Sequence, residues 1–273
     1  MSELMRIYSN VQAMQNMNSL ANVSDKMAKH QLRLATGRKI NSAADDPAGY
    51  QLARSLETRK RGLDAALQNV SQAKNVLNVA EGGYQNIMDI LQTVKEKATQ
   101  AADYSLSSTQ RSSINDQVTA LLNEIDDIVT ETTFNGDGLI DAGYSGAFHT
   151  GEGASDELTI SLGGADSAQL SINSITLATA NGASTAIGTV STAIDTLAGK
   201  IQDVGEYKVR LSSKEQTLSV ASTNTEAIRS SVEDADFAKE QMEVMKLQIL
   251  QQTAISSFAQ ANSSPQVVLS LFR

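Results

Sequence analysis

A mainly α fold, built of long antiparallel helices with a small central β region, follows from three observations. First, apolar or Ala residues recur from Leu52 to Ala101 in alternating four- and three-residue steps: Leu52, Leu56, Leu63, Ala66, Val70, Ala73, Leu77, Ala80, Tyr84, Ile87, Leu91, Val94, Ala98 and Ala101, interrupted only at Arg59. A mean spacing near ~3.5 keeps one seam of a helix facing a partner while the other faces stay polar. Second, hydrophobic residues make up 41% of the 273, yet aromatics only 4%, and Trp is absent. The core must therefore be Leu, Ile, Val, Met and Ala, the residues that fill helix seams. Third, twelve of the seventeen glycines fall between Gly136 and Gly205, so turn chemistry is concentrated in the middle of the chain.

The elements follow in order. Ala13, Met17, Leu20, Met27 and Leu34 keep the four-three rhythm, with Ser24 and Gln31 in the two remaining slots, and predict a first helix from about Leu4 to Leu34. The rhythm stops at Thr36-Gly37-Arg38-Lys39-Ile40-Asn41-Ser42-Ala43-Ala44-Asp45-Asp46-Pro47, a shaped connector. Asp46 ahead of Pro47 starts the long helix, because Asp accepts from free backbone N–H groups and Pro suits the first helical position. At ~1.5 Å per residue the seam from Leu52 to Ala101 would reach ~75 Å, the dimension of a building element.

Ile114, Val118, Leu121, Ile125 and Ile128 predict a third helix folding back beside the long one, with Ser107 and Gln110 spaced as a capping box. Asn135-Gly136-Asp137-Gly138 reads as a tight turn. Leu158, Ile160 and Leu162 alternate as a strand, with Leu170 and Ile172 as its expected hairpin partner across Gly163-Gly164. Ile187, Val190, Ile194, Leu197, Ile201, Val204, Leu211 and Leu218 predict a fourth helix to about Ser231, with Lys208 and Glu215 occupying slots of the same register. The last helix, about Val232 to Asn262, carries two apolar arcs. Met242, Met245 and Ile249 lie on one side; Val244, Leu247, Leu250, Ala254, Phe258 and Ala261 lie on nearly the opposite one. Apolar surface on both faces calls for several neighbours, and other copies of the chain could supply them.

The chemistry that the chain excludes is equally informative. A formal charge of −9 with scattered basic residues argues against nucleic acid, whose phosphates need clustered Lys and Arg. No segment approaches the ~18 consecutive apolar residues of a membrane span, and Met1 to Gly37 lacks the apolar block of a cleavable signal. There is no Cys. Asp45 and Asp46 lack further ligands for a metal and read as cap and connector. His30 and His149 have no zinc spacing and read as surface or packing residues. No nucleophile elbow, metalloprotease pair or phosphate loop occurs, so no catalytic, cofactor or metal residue is expected.

Several segments nonetheless carry a family resemblance. Leu32-Arg33-Leu34-Ala35-Thr36-Gly37-Arg38-Lys39-Ile40-Asn41-Ser42-Ala43-Ala44-Asp45-Asp46-Pro47-Ala48-Gly49 resembles the signature "L-S-S-G-x-R-I-N-S-A-x-D-D-A-A-G" of bacterial flagellins. Thr133-Phe134-Asn135-Gly136 is similar to the family's "T-x-F-N-G". Val232-Glu233-Asp234-Ala235-Asp236-Phe237-Ala238-Lys239-Glu240 and Gln260-Ala261-Asn262-Ser263-Ser264-Pro265-Gln266-Val267-Val268-Leu269-Ser270-Leu271 resemble its C-terminal signatures. The resemblance covers roughly the first 140 and last 90 residues, and the ordered co-occurrence is highly specific.

The resemblance implies a short flagellin with a D0 coiled coil and connector from residues 1–46 and 232–273. It implies a D1 bundle from 47–140 and 187–231, a short β-hairpin region of D1 over 141–186, and no D2 or D3. It implies a structural, non-enzymatic subunit polymerising with itself into the extracellular flagellar filament for swimming. Further implied partners are a FliS-type export chaperone, the type III export apparatus, the filament cap and the hook-associated junction proteins. A junction protein of the HAP3 type is the alternative. Assembly packing is expected at Ile7, Val11, Met14, Met17, Leu20, Met27 and Leu34, and at Met242, Met245, Ile249, Phe258, Leu269 and Leu271. Arg38, Asn41, Asp45 and Asp46 are expected to fix the connector. Thr93 and Lys97 stand where the family carries Arg and Leu in the patch read by the innate receptor TLR5, which implies weak recognition. The lost guanidinium removes bidentate hydrogen bonding, and the lost Leu removes an apolar anchor.

Overall fold

The computed structural model describes residues 10–141 and 143–270, with side chains described as far as Ser263. In chain order the elements are α1 (Val11–Thr36), α2 (Pro47–Ala101), α3 (Ser108–Glu131), β1 (Thr133–Phe134), β2 (Asp137–Gly138), β3 (Tyr144–His149), β4 (Glu157–Leu162), α4 (Ala180–Glu233) and α5 (Phe237–Ser270). The fold is mainly α with two small antiparallel sheets, as the periodicities predict. Two compact units are formed, one from the described parts of Met1–Thr58 and Thr225–Arg273, the other from Arg59–Asn224.

In the first unit α1 and α5 pair antiparallel. Asn10 Nδ2 donates to the Ala261 carbonyl (2.8 Å), Asn16 Nδ2 to the Ser257 carbonyl (3.2 Å) and Gln251 Nε2 to Ser24 Oγ (3.4 Å), so residue numbers fall on α5 as they rise on α1. Ala13, Val244, Leu247 and Ala261 are buried in this unit. Here the seam departs from the predicted register. Met17 and Gln31 are exposed, whereas Asn16 and His30 turn inward, because their polar groups bond to α5. Leu250, on the same apolar arc of α5 as the buried Val244 and Leu247, is also exposed. At the start of α2 burial passes from Leu52 to Ala53. A Cβ added at Gly49, one turn earlier, would meet the ends of the Asp46 and Ile40 side chains, so a larger residue there must displace the capping carboxylate.

The second unit holds the large core. Every seam residue of α2 from Leu63 to Ala101 is buried, together with Ile114, Val118, Leu122, Ile125 and Val129 of α3 and Val190, Leu197, Val204, Leu211 and Leu218 of α4. The capping box of α3 forms as predicted, with Ser107 and Gln110 each accepting from the other's backbone N–H. The two charged slots on α4 meet opposite charges on α2: Lys208 pairs with Glu81 and Glu215 with Lys74. Asn135 and Gly136 adopt positive φ in the tight turn joining β1 to β2.

The hairpin expectation is corrected here. β4 pairs with the preceding β3, in the register Tyr144 to Leu162 through His149 to Glu157, and not with Leu170 and Ile172. Those two residues are buried, but in a turn-rich segment held by side chains. Asp126 accepts from Ser167 N and Oγ (both 2.8 Å), and Asn115 Oδ1 accepts from Leu177 N (2.8 Å). The Gly163 and Gly164 carbonyls accept from Tyr84 and Lys200 (both 2.5 Å). Burial pushes the Tyr84 hydroxyl pKa up and the Lys200 ammonium pKa down. With its polar groups already satisfied, this segment does not need a ladder. Helices also begin differently from expectation: α4 starts at Ala180, before Ile187, and α5 at Phe237, after Val232.

Candidate functional site

The connector is built by local backbone chemistry. Gly37 takes φ +70° and closes α1 in the left-handed conformation. The strand-like residue Arg38 then bridges Asp234, with Lys39 N donating to the Glu233 carbonyl (2.8 Å) and Ala235 N to the Gly37 carbonyl (2.9 Å). Asn41 Nδ2 donates to the Arg38 carbonyl (2.9 Å). Asp45 Oδ2 accepts from the backbone N–H groups of Asn41 and Ser42 (both 3.1 Å), while its Oδ1 meets Lys29 Nζ at 2.6 Å. The Lys29 ammonium and those backbone donors hold the Asp45 carboxyl well below the usual carboxylate range. Asp46 Oδ1 accepts from Gly49 N (3.0 Å) and caps α2.

Two clusters in this unit were hidden from sequence reasoning. Glu233 is only 1% exposed, yet Oε1 receives Arg54 (2.6 Å) and Arg38 (3.0 Å), and Oε2 receives Arg229 (2.6 Å). Arg229 also forks onto Glu226, which with Glu233 raises its pKa. The second cluster joins α1 to α5: His30 Nδ1 lies 2.5 Å from Glu240 Oε2, with Arg33 Nη1 at 3.5 Å from Oε1. Of the two readings, surface or packing, His30 takes the second, as a cross-helix partner of Glu240. The available signal was the position of Glu240, which falls in four-three spacing with Val244 and Leu247 on the inner arc.

Apolar side chains on the same helix pair remain exposed. On α1 these are Val11, Met14 (65%), Met17 and Leu32; on α5 they are Phe237, Met242 (60%), Met245, Ile249, Leu250 and Ile255. Leu20, Met27, Leu34 and Phe258 are half-buried. Leu269 lies in α5, but its side chain lies outside the described residues, as do Ile7 and Leu271 altogether. In the other unit Thr93 is exposed, with its hydroxyl donating to the Asp89 carbonyl one turn back (3.0 Å), and Lys97 is half-buried. Among the described residues no group of three or more His, Cys, Asp or Glu side chains could hold a metal ion. The geometry leaves these apolar side chains open to solvent beside intrachain ion pairs.

Comparison with known proteins gives the same direction. The family model for the bacterial flagellin N-terminal helical region matches residues 7–145, and that for the bacterial flagellin C-terminal helical region matches residues 186–272. Flagellin FlaB1 of Treponema pallidum is 30% identical over 286 residues, covering 98% of this chain and 100% of its own. Flagellin of Bacillus subtilis is 31% identical over 304 residues, covering 98% and 100% respectively. A crystal structure of Bacillus cereus flagellin shares 23% identity at a TM-score of 0.43, over 58% of this chain and 88% of that one. With family models matched at both ends and this identity carried across nearly its whole length, the chain belongs to the bacterial flagellin family of structural, non-enzymatic filament subunits.

Proposed function

We propose that this flagellin polymerises through the exposed apolar side chains of its α1–α5 pair. The observation that carries the reading is the exposed run Met242, Met245 and Ile249 on α5, with a second exposed run, Val11, Met14 and Met17 on α1, toward the other end of the antiparallel pair. Every ~500 Å² of apolar surface covered by neighbouring subunits stabilises by ~12 kcal/mol before the ordering cost of the helices is subtracted. Subunits related by a rotation that does not close then form an open helical filament, the machinery of swimming.

In this reading residues 1–46 and 232–273 form the inner D0 domain. Residues 47–140 and 187–231 form the D1 bundle, with 141–186 as its β-hairpin region. Leu20, Met27, Leu34, Phe258, Ile7, Leu269 and Leu271 extend the packing, and Arg38, Asn41, Asp45 and Asp46 set the connector. The subunit reaches the extracellular filament through the type III export apparatus, escorted by a FliS-type chaperone, and assembles under the cap beyond the hook-associated junction proteins. No helix among the described residues is long and apolar enough to cross a membrane. Thr93 and Lys97 supply neither a guanidinium nor an apolar anchor, so activation of TLR5 is weak; a cell reporter answering at full strength refutes this.

The test of the assembly reading is electron microscopy of the full chain with short filament seeds, beside a Met242→Ser/Met245→Ser/Ile249→Ser variant. Long filaments from the full chain, with the variant folded but inert, support the reading. Short terminal collars from the full chain would instead favour a junction protein.

A further inference from the structure

The sulfur chemistry of this chain is unevenly distributed. There is no Cys, and of the eight methionines only Met88 lies in the large-core unit, where it is half-buried against that core. Four of the others, Met14 and Met17 on α1 and Met242 and Met245 on α5, are exposed, each pair three residues apart and therefore on one helix face. A thioether is the readily oxidised side chain that remains when thiols are absent, and its reaction follows exposure.

We infer that Met14 with Met17 on α1, and Met242 with Met245 toward the other end of the helix pair on α5, form two oxidation-sensitive patches, at which peroxide-class oxidants switch the free subunit from assembly-competent to assembly-blocked. In each reaction the sulfur attacks the outer oxygen of hydrogen peroxide and the O–O bond breaks. The sulfur gains one oxygen and loses two electrons, and water leaves. The product sulfoxide is polar and accepts hydrogen bonds where the thioether was apolar and adaptable, so covering it with a neighbouring subunit leaves a buried acceptor unpaired. Reversal needs two electrons from a thiol-dependent methionine sulfoxide reductase, which removes the oxygen as water. Once subunits cover these two patches the sulfurs are shielded, so both are open only before incorporation. This inference rests on the assembly reading above.

The experiment treats the free full chain with hydrogen peroxide, removes the oxidant and measures seeded elongation, with peptide mass mapping at each methionine. We expect oxygen incorporation at Met14, Met17, Met242 and Met245 to run ahead of Met88, and elongation to fall roughly tenfold. Incubation with methionine sulfoxide reductase and a thiol restores it, and filaments treated after assembly take up far less oxygen at these positions. In a Met14→Leu/Met17→Leu/Met242→Leu/Met245→Leu variant, whatever its own untreated rate, peroxide leaves that rate unchanged. Oxidised chain that elongates at the untreated rate overturns the inference while leaving the assembly reading intact, as does loss that the reductase does not reverse. Untreated chain that fails to elongate overturns the assembly reading itself and the inference with it.

Discussion

Glu233 shows how much a single residue can hold. Its carboxylate gathers Arg38, Arg54 and Arg229 at a point nearly closed to water. Removing Glu233 takes away three charge-assisted bonds at once, while Arg38 and Arg54 keep access to water, Arg54 keeps Glu57 and Arg229 keeps Glu226. Glu233→Ala is expected to lower stability by about 2–3 kcal/mol, with Glu233→Gln losing less, as read by urea denaturation. Asp45 carries a different signature. Its pKa is depressed from the ordinary 3.8, so the unfolded chain binds the proton first. Its stabilisation is complete above the ordinary carboxylate range and is lost as pH falls below it toward the folded value. The acid limb of a stability–pH curve should therefore flatten in Asp45→Asn, and an unchanged limb would refute the assignment. Asp46 was legible in the sequence because the cap it makes reaches only three residues ahead. Glu233 was not, because Arg54 stands 179 residues away and nothing local marks the pair.

At the level of elements, the seams of α2 and α4 could be read because periodicity alone encodes a buried face. Lys208 and Glu215 occupy charged slots of that register, and the fold sets Glu81 and Lys74 against them. These two pairs run in opposite sense across the helices, Lys to Glu and Glu to Lys, and a shifted register would separate both. Lys208→Glu is expected to destabilise, and Lys208→Glu with Glu81→Lys to recover. The coupling should be about 0.5–1 kcal/mol by double-mutant cycle, consistent with partly exposed pairs. The partner of β4 could not be read for a physical reason. Leu170 and Ile172 are as apolar and as alternating as a strand requires. The bonds from Asp126, Asn115, Tyr84 and Lys200 that divert their segment come from three different helices.

Across the whole molecule the two units differ in how they are held. The larger one buries a continuous aliphatic core, whereas the described buried apolar residues of the other are few: Ala13, Ile40, Ala53, Val244, Leu247 and Ala261. Local opening is easiest where few apolar contacts must be broken. In the free subunit, amides of α1 and α5 are expected to exchange with deuterium well before those of α3 and the Leu63–Ala101 stretch of α2. Equal protection would contradict the assignment of the exposed face to assembly. The helical class and the terminal signatures were legible because they are carried by spacing and short motifs. The inner polar register of α1 and α5 was not, since Asn16 and His30 are placed by what they meet on the other helix. That pairing joins Asn10 to Ala261, positions 251 residues apart. A ribosome adding roughly 5–20 residues per second delivers the first helix many seconds before its mate exists. A segment made early thus finds its place late, and throughout that wait the growing chain offers a bare helix face to whatever holds it.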